Sequence, residues 1–259
     1  MQDVADELVA WLFARVDLPA RPPVDLSQLA KKMAIDEILD ATMAEDGRLE
    51  LRDQRAIIYV RADVSRERRR FTIAHELAHR LLMHRTAPAV AYRRRLTGDN
   101  LERLCDDIAA AVLLPRQWVE TEYIGSPQRL DTVRRMGTAA SASLSASLVR
   151  LREVHRWSRS LLRFNHVTER WRLAAPAGVP PDLHRSLRTT AETNITLAAI
   201  GRRSREDVVS PLPLRLGSRT WAFPAELSVR ATTAIALVDL TRPQSPGEES
   251  TSRAPGLDA

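Results

Sequence analysis

The chain has 259 residues, of which 44% are hydrophobic and 28% charged, with a formal net charge of +6 at pH 7. This composition excludes a wholly disordered chain, because it supplies a core for one large domain or two smaller ones. The single cysteine, Cys105, excludes an internal disulfide, and no apolar run reaches the ~20 residues that span a bilayer.

The first elements in chain order are predicted to be two helices and a small antiparallel sheet. Apolar residues recur at helical spacing between residues 3 and 16, with no basic segment of the kind that opens a secretory signal. Asp25 is expected to cap a second helix. The segments RLELR and AIIYVR are expected to be strands, with a hairpin turn signal at Asp46-Gly47. A cytoplasmic protein is the simplest interpretation.

The next stretch, FTIAHELAHRLLMH, contains the pattern His-Glu-x-x-His within a predicted amphipathic helix. On a helix, His75 and His79 lie one turn apart on the same face, so both imidazoles can bind one zinc ion. Glu76 lies beside that face, where it can act as the general base of a peptidase. The alternative is a chance match. A sequence of this composition is expected to contain the His-Glu-x-x-His pattern by chance in about one case in a hundred.

A catalytic zinc needs a third protein ligand and an open position. A histidine six residues past the motif would indicate a metzincin, but that residue is Arg85. The helix predicted in TGDNLERLCDDIAAAVLLP offers Glu102 as the ligand. It also offers Asp106, one turn later, as a carboxylate that orients a ligand histidine. Asp99 and Asp107 are other candidates for the third ligand. The alternative is that these acidic residues form an ordinary solvent-exposed helix face without a metal.

Three further features near the motif carry expectations. Cys105 is expected to be a small buried residue between helices rather than a redox-sensitive one. Tyr59 and Tyr92 could each stabilise an oxyanion, and the sequence selects neither. The strand AIIYVR is expected to offer an edge along which an extended peptide substrate pairs.

The rest of the chain is predicted as two helices followed by an α+β module. If the segment between residues 129 and 157 binds DNA, Arg150, Arg152 and Arg156 contact phosphates. In the favoured alternative the segment packs against the protease domain and shapes the substrate entrance, and Arg150 and Arg152 lie in structural ion pairs or in solvent. Further on, LLRFNHV, RWRLA, NITLAAI, TWAFPA and TAIALVDL are expected to be strands, interrupted by a helix at DLHRSLRTTAE. The Pro/Ser/Gly-rich residues 243–259 are expected to be a disordered tail.

Three segments in this order, PPVDLSQLAKKMAI, RRRFTIAHELAHRLLMH and ERLCDDIAAAVLLP, resemble the ImmA/IrrE family of metallopeptidases. The helices after them resemble the helix-turn-helix-like segment of longer members. An α+β chain is therefore expected, with four regions. These are a zincin-like metallopeptidase domain (1–125), a helix-turn-helix-like segment (126–160), a GAF-like α+β sensor module (161–242) and the tail (243–259).

The resemblance implies a cytoplasmic zinc-dependent endopeptidase that cleaves a helix-turn-helix transcriptional repressor, and so derepresses stress-response or mobile-element genes. It implies that His75, His79 and Glu102 hold Zn²⁺ and that Glu76 is the base. Ala78 stands where many members have Gly, and Cys105 with its neighbour stands where many have Ala-Asn, but neither departure removes a ligand.

The alternative function is a non-proteolytic zinc-containing regulator that binds DNA or a repressor protein. The intact glutamate of the motif favours the peptidase, and DNA binding is not favoured. A His/His/Glu site also accepts Mn, Fe or Co, so the sequence leaves the metal in the cell open.

Overall fold

The computed structural model describes residues 2–83, 96–204 and 206–244. The chain divides into two compact units between Trp157 and Ser158. Helices and strands occur in both units, so the predicted α+β class is confirmed. No helix in the described ranges is long and apolar enough to cross a membrane. The predicted tail lies outside the described residues from residue 245 onward.

The described helices and strands of the first unit follow one another as α1 (Gln2–Val16), α2 (Leu26–Lys32), β1 (Glu37–Ala41), β2 (Gly47–Arg52), β3 (Arg55–Arg61), α3 (Arg66–Met83), α4 (Asp99–Leu113), α5 (Arg116–Glu122), α6 (Leu130–Ala140) and α7 (Leu144–His155). The helices expected around the His-Glu-x-x-His motif and after it are confirmed. So is the pair of helices expected between residues 129 and 157. Helix α4 begins at Asp99 and ends shortly before Pro115, as predicted.

Local side chains explain where the helices begin. The Asp25 carboxylate accepts hydrogen bonds from the backbone N–H groups of Ser27 and Gln28, at 3.0 and 2.9 Å, which confirms the predicted cap of α2. The Ser65 hydroxyl accepts a hydrogen bond from the Arg68 N–H at 3.2 Å and so caps α3. These caps fix the first turns, and burial of apolar faces then stabilises the helices.

The small sheet has the strand order β1-β3-β2, with β1 parallel and β2 antiparallel to β3. The expectation of a wholly antiparallel sheet is therefore wrong in this detail. The hairpin turn is also not at Asp46-Gly47. It lies at Asp53 and Gln54, whose φ values of 50° and 64° suit a two-residue turn between β2 and β3.

One outer edge of this sheet is formed by β2. The prediction that AIIYVR offers an edge for the substrate required β3 to be an edge strand. Strand β3 is paired on both sides, so the expectation for AIIYVR is wrong. The Arg61 N–H donates to the Asp46 carbonyl, so Asp46 faces β3. Because backbone groups alternate along an antiparallel strand, those of Gly47, Leu49 and Leu51 point to the outer edge.

The helical part of the first unit is held by packing around α3 and α4. Leu77 and Leu81 of α3 and Leu104 and Ile108 of α4 are almost completely buried. Helix α1 packs on α4, and β2 and β3 pack on α3. The motif helix is thus enclosed by the sheet on one side and by α4 on another, which fixes the directions in which its polar side chains point.

The described helices and strands of the second unit are β4 (Ser160–Val167), β5 (Arg170–Ala177), α8 (Pro181–His184), β6 (Leu187–Arg188), α9 (Ala191–Arg203), β7 (Val208–Leu216), β8 (Arg219–Val229) and β9 (Thr233–Val238). The strands form one antiparallel sheet with the order β5-β4-β9-β8-β7-β6. Its core is lined by fully buried side chains that include Phe164, Leu197 and Phe223. The likeness of this module to a GAF domain stays a prediction.

Two element predictions in this unit are wrong. NITLAAI lies in helix α9 and not in a strand, because Thr190 and Thr193 form a reciprocal capping box that starts a helix just before it. DLHRSLRTTAE forms the short α8, the two-residue β6 and the first two residues of α9, and not one helix. Short-range capping therefore outweighed the β-branched composition of the first segment.

The long strand β7 was missed because it contains Pro211 and Pro213, which cannot donate to a sheet. The structure accommodates them because β6 pairs only with Leu216 and Arg215, so both prolines lie where β7 is an edge strand. On its other side, β7 pairs with β8 along its whole length.

Candidate metal centre

Helices α3 and α4 lie side by side and bring together three side chains of the types that bind metals. The Nε2 atoms of His75 and His79 are 3.1 Å apart, and Glu102 Oε2 lies 3.3 Å from the first and 3.6 Å from the second. Ligands of a tetrahedral zinc ion, at bonds of about 2.0–2.2 Å, are about 3.3–3.6 Å from one another. The two distances to Glu102 fall in this range and the distance between the histidines is slightly shorter, so the three side chains are close to the size that such an ion requires.

Among the described residues, these three side chains are the group of His, Cys, Asp or Glu that can hold an ion. The rivals Asp99 and Asp107 do not belong to it. The side chains of His75 and His79 are 18% and 21% exposed, and that of Glu102 is 55% exposed. The site is therefore held firmly on the α3 side and is accessible to solvent on the α4 side.

Each histidine has a partner for its other ring nitrogen. Asp106 Oδ1 lies 2.9 Å from Nδ1 of His75, so the carboxylate accepts a hydrogen bond from Nδ1–H and leaves the Nε2 lone pair facing the site. The Sγ atom of Cys105 lies 3.5 Å from Nδ1 of His79. Cys105 is completely buried, as expected, but its contact with His79 was not foreseen.

The surroundings shift the pKa values of these groups in different directions. Burial alone would lower the pKa of His75, but the hydrogen bond and charge of Asp106 outweigh it and raise that pKa. Burial and the neighbouring His75 lower the pKa of His79. Burial and the charges of Glu102 and Asp106 raise the pKa of the Cys105 thiol to about 12, so it is protonated at neutral pH.

Glu76 is 7% exposed and lies where α3 meets strand β2. Burial raises the pKa of its carboxyl group, while His75 and a backbone hydrogen bond from Leu49 oppose that rise. The carboxylate therefore lies against the edge strand, beside His75. A buried carboxyl group with a raised pKa accepts and releases a proton more readily near neutral pH than an exposed one.

The structure removes one oxyanion candidate. Tyr59 is paired in register with Arg48, whose guanidinium lies 5.6 Å from the centre of the tyrosine ring. The Cβ direction of Gly47, the preceding residue on β2, points at α3. Since side chains alternate along a strand, Tyr59 lies on the face of the sheet turned away from the site. The other candidate, Tyr92, lies outside the described residues.

Replacing Asp106 with asparagine tests the hydrogen bond to His75. Asparagine keeps an acceptor but removes the charge, so the pKa of His75 in the metal-free protein is expected to fall. Protons and metal compete for the same Nε2 atom of His75. Because the lower pKa delays protonation of this atom, loss of metal through protonation is expected to begin at a lower pH in the variant than in the wild type. Zinc affinity at pH 8 is expected to weaken by about 10- to 100-fold. Histidine NMR titration and zinc competition measure the two effects, and an unchanged His75 pKa would contradict the assignment.

Comparison with known proteins places the site within a known family. Residues 31–141, which contain β1 to β3, α3, α4 and all the candidate site residues, match the model of the Peptidase_M78 family, the IrrE N-terminal-like domain. A solved structure described as a Mycobacterium tuberculosis transcriptional regulator is similar in fold, with a TM-score of 0.54 and 14% identity over 91% of this chain and 75% of that chain. No curated protein matches the chain. Residues 31–141 are therefore an IrrE N-terminal-like domain of the Peptidase_M78 family, which confirms the family predicted from the sequence.

Proposed function

We propose that this chain is a cytoplasmic zinc-dependent endopeptidase that cleaves a helix-turn-helix transcriptional repressor and so derepresses stress-response or mobile-element genes. The observation that carries the proposal is the convergence of two histidines and a glutamate from α3 and α4, with a second, buried glutamate beside them. The catalytic domain is proposed to be residues 1–125, and residues 161–242 are proposed to be a GAF-like sensor.

His75, His79 and Glu102 would hold the ion, and the donor set of two imidazoles and a carboxylate suits zinc with one position open. Zinc bound there would polarise the scissile carbonyl and lower the pKa of a water molecule. Glu76 accepts a proton from that water on its carboxylate and delivers it to the leaving amine. Asp106 keeps the proton of His75 on Nδ1 through the 2.9 Å hydrogen bond.

The outer edge of β2 is the proposed binding surface for the substrate backbone. Backbone groups of Gly47 and Leu51 point away from β3 and are available to a substrate, while the Leu49 N–H between them faces Glu76. An extended peptide that pairs with this edge passes beside the general base and the ligand histidines. Such pairing reads backbone more than side chains, so it requires an unfolded or looped segment of the repressor.

The regulatory setting rests on the family resemblance, and a chain of similar fold is described as a transcriptional regulator. In the alternative function, this protein binds DNA through the helices of residues 129–157, with three arginines contacting phosphates. The position of one of these arginines argues against that role. Arg150 is fully buried and donates to the Leu114 carbonyl at 2.9 Å, so it cannot contact a phosphate. This placement favours a structural role for Arg150, as the sequence predicted.

The experiment that tests the proposal is the incubation of zinc-loaded protein with a purified helix-turn-helix repressor, followed by intact mass spectrometry. Wild-type protein is expected to produce two fragments whose masses sum to the repressor plus one water. Glu76→Gln is expected to keep its zinc and its fold but to cleave about 100- to 10,000-fold more slowly, because only the general base is lost.

Glu120→Gln, a substitution of an exposed glutamate on α5, is the matched control and is expected to cleave like the wild type. Cleavage by Glu76→Gln at the wild-type rate would rule out the proposed mechanism. Tight binding of the repressor by wild-type protein without any cleavage would favour the non-proteolytic regulator.

A further inference from the structure

Gly47, the first residue of β2, lies where the edge strand crosses the motif helix. Its φ is not positive, so the backbone there does not need glycine for its conformation. The reason for glycine is space. A Cβ atom at this position would lie 2.2 Å from the Cγ2 methyl of Thr72 and 3.2 Å from Glu76 Oε1.

The obstacle that such a Cβ would meet is rigid. Thr72 is 4% exposed and lies on α3 one turn before Glu76, on the same face of the helix. A β-branched side chain has few rotamers, and a buried one has little room to use them. Carbon atoms in contact are about 3.5–4.0 Å apart, so any side chain at residue 47 would push β2 from α3 by more than about 1 Å.

The close approach of β2 to α3 matters because Leu49, two residues after Gly47, lies beside Glu76. The Leu49 N–H faces the Glu76 carboxylate, and a Cβ at residue 47 would lie 3.2 Å from Glu76 Oε1, so this part of the strand lies against the general base. The same outer edge carries the backbone groups proposed to bind substrate. Displacing the strand by about 1 Å would separate that edge from the general base. Misplacement of this size reduces turnover by about 100-fold in well-aligned active sites.

We infer that Gly47 is a positioning residue: by lacking a side chain, it lets β2 approach Thr72 closely enough to align the strand's outer edge with Glu76. This inference rests on the proposed peptidase function for its catalytic consequence. Its structural part, the spacing between strand and helix, concerns the metal-free protein as well.

The test is a double-mutant cycle between Gly47→Ala and Thr72→Ser, because serine lacks the Cγ2 methyl that the new Cβ would meet. Gly47→Ala alone is expected to lower kcat about 100-fold, with zinc content unchanged. Thr72→Ser alone is expected to leave kcat within about 3-fold of the wild-type value. The double variant is expected to recover at least about 10-fold of the lost kcat, since the remaining neighbours at 3.2 Å need to move only slightly.

A second readout is independent of catalysis. In the metal-free protein, the Leu49 amide is expected to exchange its hydrogen faster in Gly47→Ala than in wild type, and slower again in the double variant. Loss of kcat that Thr72→Ser does not restore, or an unchanged exchange rate in Gly47→Ala, would overturn the inference. If wild-type protein cleaves nothing, the proposed function fails, while the exchange series still supports or overturns the strand spacing.

Discussion

Replacing Arg150 with alanine is expected to lower the free energy of unfolding by about 3–5 kcal/mol. The Arg150 side chain is completely buried, and its guanidinium is paired with the carboxylates of Asp6 and Glu153. The same guanidinium donates to the Leu114 carbonyl at the end of α4. Alanine would remove the donor of the Leu114 carbonyl and the cation beside Glu153, and would leave Asp6 with Arg116 at 3.3 Å as its remaining partner. Removal of one partner of a buried ion pair is strongly destabilising.

Urea or guanidinium denaturation of the full chain, followed by circular dichroism, measures this effect. Arg135→Ala is the control, because Arg135 lies on the neighbouring helix α6 in an ion pair with Asp131 whose side chains are 60% and 68% exposed. That substitution is expected to change stability by about 0.5 kcal/mol or less. A similarly small effect for Arg150→Ala would show that the contacts of Arg150 with α1, α4 and α7 do not stabilise the fold.

Removal of one metal ligand is expected to have the largest effect on metal binding. His75→Ala, His79→Ala and Glu102→Ala should each weaken zinc binding by more than about 100-fold. The reason is that two remaining ligands do not retain a catalytic ion, and even changes to residues behind the ligands weaken binding by about 10- to 100-fold. Elemental analysis of dialysed, untagged protein measures the zinc that each variant retains.

His184→Ala is the matched control, since this exposed histidine lies in the short helix α8 of the second unit. It is expected to retain about one zinc per chain, like the wild type. Equal zinc content in the control and in all three ligand variants would place the ion elsewhere.

Features that depend on neighbours along the chain were predictable from the sequence. The helix around the motif, the cap at Asp25 and the start of α4 all follow from local spacing and side-chain chemistry. The placement of Glu102 and Asp106 one turn apart also follows from helical geometry. That the two helices bring Glu102 to the histidines depended on packing, which the family resemblance anticipated and the sequence pattern alone did not.

Features that depend on strand order and register were not predictable. AIIYVR has the composition of a strand, but nothing local shows that β1 would pair on its other side and leave β2 as the edge. The role of Gly47 followed from that arrangement and could not be assigned before it. The turn at Asp53-Gln54 was overlooked because the stronger turn signal, Asp46-Gly47, lies directly before RLELR and so placed the turn at the wrong end of that strand.

The contact between Cys105 and His79 was also not predictable from the sequence. A buried cysteine between helices was the expectation, and Cys105 is completely buried. Which side chain it would meet depended on the rotation of α4 about its own axis, and spacing along one helix does not fix this rotation relative to another.

A crystal structure of the zinc-loaded protein, with anomalous diffraction recorded on both sides of the zinc absorption edge, tests the metal centre most directly. One anomalous peak is predicted, within about 2.0–2.2 Å of the Nε2 atoms of His75 and His79 and of a Glu102 carboxylate oxygen, with the fourth position open to water. A peak elsewhere, or a fourth protein ligand that closes the coordination sphere, would contradict a catalytic zinc site at these residues.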